Sequence, residues 1–162
     1  MFTIQKFMQY NTWANQKTVE ILASVDDNTL DTEMKSSFPT IRKTLMHVWD
    51  AQQIWLLRLQ GQPTTKWASQ DFAGSTEELY KAFIHDSQAF ADFIAGKDHA
   101  YLDGEIVYKN MKGVEFKNGV EGILFHVVNH GTFHRGQILT MLRELGFTSF
   151  PSQDLITFLR EV

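Results

Sequence analysis

Three of the chain's six histidines, His126, His130 and His134, follow one another at two successive steps of four residues. Four residues of α-helix turn about 40° past a full revolution, so neighbours in this series share a face and the outer two lie about 80° apart. Imidazoles placed at i and i+4 can converge on one metal ion. One helix rarely supplies a whole ligand set, so another element must contribute. His47, distant in sequence and in an apolar setting, is the natural third. The competing reading is packing, because a hydrogen-bonded core imidazole is a common outcome for histidine. Gly131 follows His130 where the His-Glu-x-x-His proteases carry their general base, which excludes that mechanism.

The elements that must position these residues are helices. Residues 2–25 carry Phe7, Asn11, Ala14, Thr18, Ile21 and Val25 at steps of three and four, and Asp26-Asp27-Asn28 ends the run. Asn11 is the polar member of that stripe and needs a partner, most simply the backbone. Ser36-Ser37-Phe38-Pro39 suggests the opening of a second helix, with a serine cap and a proline in the first turn. That helix extends to Gln60, where Gly61 and Pro63 stop it. Two apolar stripes compete along it. One is Ile41, Leu45, Val48, Gln52, Trp55 and Leu59; the other is Thr44, His47, Val48, Ala51, Ile54 and Trp55. The second is preferred for the core, since it turns His47 toward a bundle axis and Ala51 leaves room beside the imidazole.

Ser75-Thr76-Glu77-Glu78 fits a capping box for a third helix, which ends at Gly96. His85, mid-helix, and His99, in a loop, stand apart and are expected to be exposed. The period then changes: residues 105–117 form a short β-hairpin with a glycine in its turn, which must lean on the helices to persist. The final long helix spans Val120 to Leu145, stops at Gly146 and is followed by a short helical tail from Asp154 to Arg160. Four long helices of this kind imply an all-α four-helix bundle, one domain over residues 1–162, with the hairpin before the last long helix.

The last helix is apolar on two sides. Ile123, Val127, His130, His134, Ile138, Met141 and Leu145 make one stripe, with Gln137 beside it; Leu124, Val128, Gly131, Arg135, Leu139 and Leu142 make another. A helix of this kind is covered on both sides. The expected second cover is a partner subunit in a two-fold homodimer, with Arg135 reaching an acidic group across the interface; the chain's own tail or hairpin is the alternative.

Bulk composition narrows the function. A net charge of -4 argues against a nucleic-acid binder, which needs a basic face. The chain has no cysteine, so disulfides, thiolate zinc sites and a cysteine nucleophile are excluded. No run of apolar residues reaches membrane-spanning length, and no signal segment opens the chain, which makes the cytoplasm the expected location.

Three motifs also resemble those of the DinB/YfiT-like family. Tyr10-Asn11-Thr12-Trp13-Ala14-Asn15 is similar to its opening signature, and Thr44-Leu45-Met46-His47-Val48-Trp49-Asp50-Ala51 to its second-helix motif. The stretch from His126 to Gln137 is close to its last-helix motif, and the Lys112-Gly113 turn suits the family as well. The matches fall in order along most of the chain. The resemblance implies an up-down-down-up bundle, commonly dimeric, holding a divalent metal on three histidines that map onto His47, His130 and His134. His126 matches a family position too, and is expected beside the metal rather than on it. Gln52 departs from the pattern, standing where many relatives place a carboxylate.

Characterised relatives include S-transferases and isomerases that use low-molecular-weight thiols. The implied function is therefore metal-dependent activation of such a thiol, or of water as in a metal-dependent hydrolase. A non-catalytic metal-binding or interaction module is the alternative. Zinc and nickel both suit imidazole ligands. Asn11, Ala51, His126 and Gln137 are pocket candidates, and Gln137 is placed behind the ligands, facing the same cavity as His130 and His134.

Overall fold

A computed structural model describes residues 2–161, so the outermost residues of the single-domain reading, 1 and 162, lie outside the described residues. Four long helices carry the architecture: α1 (Ile4–Leu22), α3 (Ile41–Leu59), α4 (Thr76–Ala95) and α6 (Val120–Glu144). Two one-turn helices, α2 (Asp27–Leu30) and α5 (His99–Leu102), connect them. Strands β1 (Glu105–Lys109) and β2 (Glu115–Gly119) form the antiparallel hairpin, and the tail is α7 (Leu155–Glu161).

The long helices start where a side chain satisfies their free amides. Thr3 accepts from Lys6 and Thr40 from Lys43, while Ser75 and Glu78 complete a reciprocal capping box. α6 has no such side chain; β2 runs straight into it, and the Val120 amide donates to the Gly104 carbonyl at 2.9 Å. Gly61 and Gly146, at φ of 69° and 93°, turn the chain out of α3 and α6.

Residue pairings set the helix directions. Tyr80 donates to the Leu22 carbonyl and Thr12 to the Ser87 carbonyl, so α1 and α4 are antiparallel. Arg42 reaches Thr76 and Trp49 reaches Asp86, so α3 and α4 run parallel. His47 meets His130 and Trp55 meets His126, making α3 and α6 antiparallel. Phe7 meets Phe125 and Asn15 meets Arg135, making α1 and α6 parallel. The order is up-down-down-up. Parallel α3 and α4 demand a long return connection, residues 60–75. Asp50 pins it midway, accepting from the Ser69 amide at 2.7 Å and the Ser69 hydroxyl at 2.6 Å.

The core has two apolar ends, one around Met8, Phe90 and Val128, the other around Leu45, Phe83 and Leu142. Between them lies a buried polar layer. The Asn15 amide donates to Gln52 and Ser87, and Gln52 donates to the Phe83 carbonyl. Arg135 Nη1 donates to Asn11 Oδ1 at 2.9 Å and to Asn15 Oδ1 at 2.8 Å, with its ring-facing side over Tyr10. Burial lowers the Arg135 pKa to about 10, still far above neutrality, so a cation sits in the core among amide oxygens.

Five expectations are corrected here. Helix α3 opens at Ile41 under a Thr40 cap, and Ser36–Pro39 remain a bend outside it. The core face of α3 is the stripe through Ile41, Leu45, Val48, Gln52 and Leu59, while His47 and Ala51 are only half-buried at its edge. Asn11 pairs with a guanidinium, not with the backbone. Most important, the second stripe of α6 is covered by α1 of the same chain. Leu124, Val128 and Leu142 are fully buried, and a Cβ on Gly131 would lie 2.9 Å from Asn11 Oδ1. Most of that stripe is thus packed inside the chain, and Arg135 crosses to α1 rather than to a partner. His99 also moves, from a loop to the one-turn α5, and both it and His85 are exposed as expected.

Candidate metal centre

Two elements bring the three histidines together. α3 presents His47 from its edge, and α6 presents His130 and His134 one turn apart from the antiparallel side. Ring centroids are 4.8 Å apart for His47 and His130, 4.7 Å for His47 and His134, and 4.5 Å for His130 and His134. One ring nitrogen from each lies within 4.8 Å of the other two. The His47 and His130 Nε2 atoms are 2.9 Å apart. Two nitrogens share that separation either through one proton or through an ion both face. With metal–nitrogen bonds of about 2.0–2.1 Å and angles of roughly 90–109°, the second case gives about 2.8–3.4 Å.

The surroundings orient the rings and keep them neutral. His134 Nδ1 donates to Gln137 Oε1 at 2.7 Å, and the Gln137 amide nitrogen donates onward to the Ser37 hydroxyl at 3.0 Å. An amide oxygen only accepts, so the proton is on Nδ1 and His134 Nε2 carries the free lone pair. Phe38 stacks on His47 with centroids 4.2 Å apart and holds its plane. Burial pushes all three imidazole pKa values below 6.5; for His130 burial comes first, His134, His47 and His126 add to it, and the value falls to about 3. Neutral rings are what a metal requires.

The pocket candidates distribute around this centre. Asn11 and Ala51 line a closed void shared with His130, too tight to admit water. His126 does not join the cluster: its ring is 5.7 Å from His130 and packs on Trp55 at 5.5 Å, in the next cavity along the helix. Ser37, Phe38 and Arg135 carry roles that the sequence pattern did not assign. Outside the triad, a cavity of about 480 Å³ runs between Phe38, Met46 and Trp67, with His47 in its wall, Lys43 at its rim and Asp50 tied to Ser69.

The DinB family profile matches residues 1–159. The chain belongs to the DinB family. It is 31% identical over 154 residues to the protein named DinB of Bacillus subtilis strain 168, covering 91% of this chain and 88% of that one. Its fold is shared with YfiT of Bacillus subtilis, described as a probable metal-dependent hydrolase with an unusual four-helix bundle topology. That likeness has a TM-score of 0.70 at 14% identity, over 90% of this chain and 89% of that one. A DinB-like protein of Bacillus cereus aligns with a TM-score of 0.69 at 20% identity, over 93% and 97% of the two chains. In this DinB family chain, then, the histidine triad has a geometry that can hold a metal ion. No helix among the described residues is long and apolar enough to cross a membrane.

Proposed function

We propose that the triad holds one divalent first-row metal ion per chain, zinc or nickel, and that the protein is an enzyme activating a small nucleophile there. The first reading is a low-molecular-weight thiol and the second is water. The observation that supports both is the set of three neutral imidazoles facing one point, with no carboxylate in the cluster among the described residues. Three protein ligands leave coordination positions open, which is the arrangement of catalytic rather than closed structural sites. A divalent ion held there supplies Lewis acidity that makes water or a thiol nucleophilic near neutral pH.

The chain's own residues do the remaining work. Gln137 and Ser37 fix the His134 tautomer, and Phe38 orients His47. Phe38, Met46 and Trp67 give a substrate body an apolar wall beside His47, and Lys43 adds a cation at the rim. With no cysteine in the chain, a reactive sulfur must arrive on a cofactor such as bacillithiol. The water reading is favoured by the likeness to YfiT, itself described as a probable metal-dependent hydrolase.

The test is an assay of the metal-loaded protein against a panel of electrophiles with bacillithiol, and against esters and amides without it. Thiol conjugation that is lost with chelator and in His130→Ala supports the first reading. Hydrolysis with the same dependence supports the second. Metal binding without either activity would leave a non-catalytic module in which the ion ties α3 to α6.

A further inference from the structure

Arg58 is the charged group that the metal centre leaves unexplained. It lies eleven residues after His47, which on α3 is three turns along the same face. Its guanidinium packs over the rings of Trp55 at 4.7 Å and Tyr108 at 4.8 Å. Burial lowers its pKa, its Nε is buried with no hydrogen-bond partner, and among the described residues it forms no ion pair. A cation in the last turn suits the helix dipole, but that does not satisfy a buried donor. The same side chain lines a cavity of about 670 Å³ between the Gly61–Thr65 loop and the hairpin. The acid in that cavity, Glu115, sits opposite Lys109 in the strand register.

This cavity has a neighbour on the side of the triad. It shares Tyr108 with a second one of about 370 Å³, lined by Trp55, Gly122 and His126. The second shares Trp55 with the closed void beside His130, so it ends at His126, one ring short of the triad. The ring steps from Arg58 to Trp55, to His126 and to His130 measure 4.7, 5.5 and 5.7 Å. Gly122, in the wall of that second cavity, is exposed and has nothing within 4 Å of the place where a Cβ would stand.

We propose that Arg58 holds the carboxylate of an elongated, otherwise apolar small molecule whose far end points along the α3–α6 seam toward the histidine triad. The guanidinium, with its unpaired Nε and no ion pair among the described residues, supplies the charge complement, and Trp55, Tyr108 and the hairpin supply the apolar wall. The binding step stands on the cavity alone; the direction of the ligand rests on the metal reading above.

The two are tested separately with octanoate and its neutral analogue octanamide as probes. In the metal-free full chain, ligand-observed NMR is expected to give octanoate a dissociation constant at least about tenfold below that of octanamide, as a charge-assisted hydrogen bond implies. Intermolecular NOEs should fall on the Trp55 and Tyr108 rings. Arg58→Gln, checked for folding by circular dichroism, should lose the preference for the acid, and Arg58→Lys should keep part of it. Equal binding of acid and amide, or a preference that survives Arg58→Gln, overturns the subsite whether or not metal binds. In cobalt-loaded protein the terminal methyl of octanoate should relax faster than its C2 protons; the reverse gradient overturns the direction and leaves the subsite standing.

Discussion

His130 concentrates the chemistry at the scale of single residues. Its folded pKa near 3 lies below the ordinary 6.5, with burial as the main cause and the three neighbouring imidazoles adding to it. Between those values the unfolded chain binds a proton that the folded chain refuses. Stability of the metal-free protein is therefore full above pH about 6.5 and falls as pH drops through the window toward 3. Urea titrations at pH 7, 5.5 and 4.5 should show that loss, and His130→Asn should flatten it. An identical slope in the variant would remove His130 as the cause. Gln137 acts one step further out. Its oxygen holds the His134 proton on Nδ1, so Gln137→Leu should weaken metal binding by about tenfold to hundredfold while leaving the fold intact. Calorimetry with zinc on both proteins measures it, and unchanged affinity would contradict that role.

Between elements, the decisive contact is α1 against α6. Gly131 sits where a Cβ would stand 2.8 Å from Arg135 Nη1 and 2.9 Å from Asn11 Oδ1. Both atoms belong to the buried network, so neither moves without breaking a charge-assisted hydrogen bond. Gly131→Ala should destabilise by about 1–3 kcal/mol despite adding only a methyl group, read from denaturant midpoints. A neutral result would show that the network yields easily. The same contact explains what was legible in the sequence. The three histidines, the helix count, the hairpin and the glycine stops announce themselves through spacing and residue type. Coverage does not: two apolar stripes on α6 call for two covers, and nothing in the local pattern tells α1 from a partner subunit. The bend before α3 was readable in principle. Phe38 precedes Pro39 and is thereby pushed to extended geometry, and Thr40 offers a capping hydroxyl to Lys43. Keeping Ser37 and Phe38 outside the helix is what lets them reach Gln137 and His47.

For the whole molecule, a metal at the triad would join α3 to α6 across one seam of the bundle. Any ligand that binds only the folded state stabilises it, by about 4 kcal/mol at a free concentration a thousand times the dissociation constant. Saturating zinc should raise the melting temperature, chelator should reverse the rise, and His134→Ala should abolish it. The assembly question changes form as well. Leu142 is fully buried within one chain, so Leu142→Glu should unfold the protein rather than separate subunits. Sedimentation together with circular dichroism checks this, and a folded monomeric variant would contradict it. The central claim remains the three-imidazole metal site with open positions, and X-ray absorption at the metal edge tests it most directly. The expected spectrum of the zinc- or nickel-loaded protein shows three imidazole nitrogens at about 2.0–2.1 Å plus light-atom ligands from solvent. A shell without imidazole scattering, or one unchanged in His130→Ala, would contradict it.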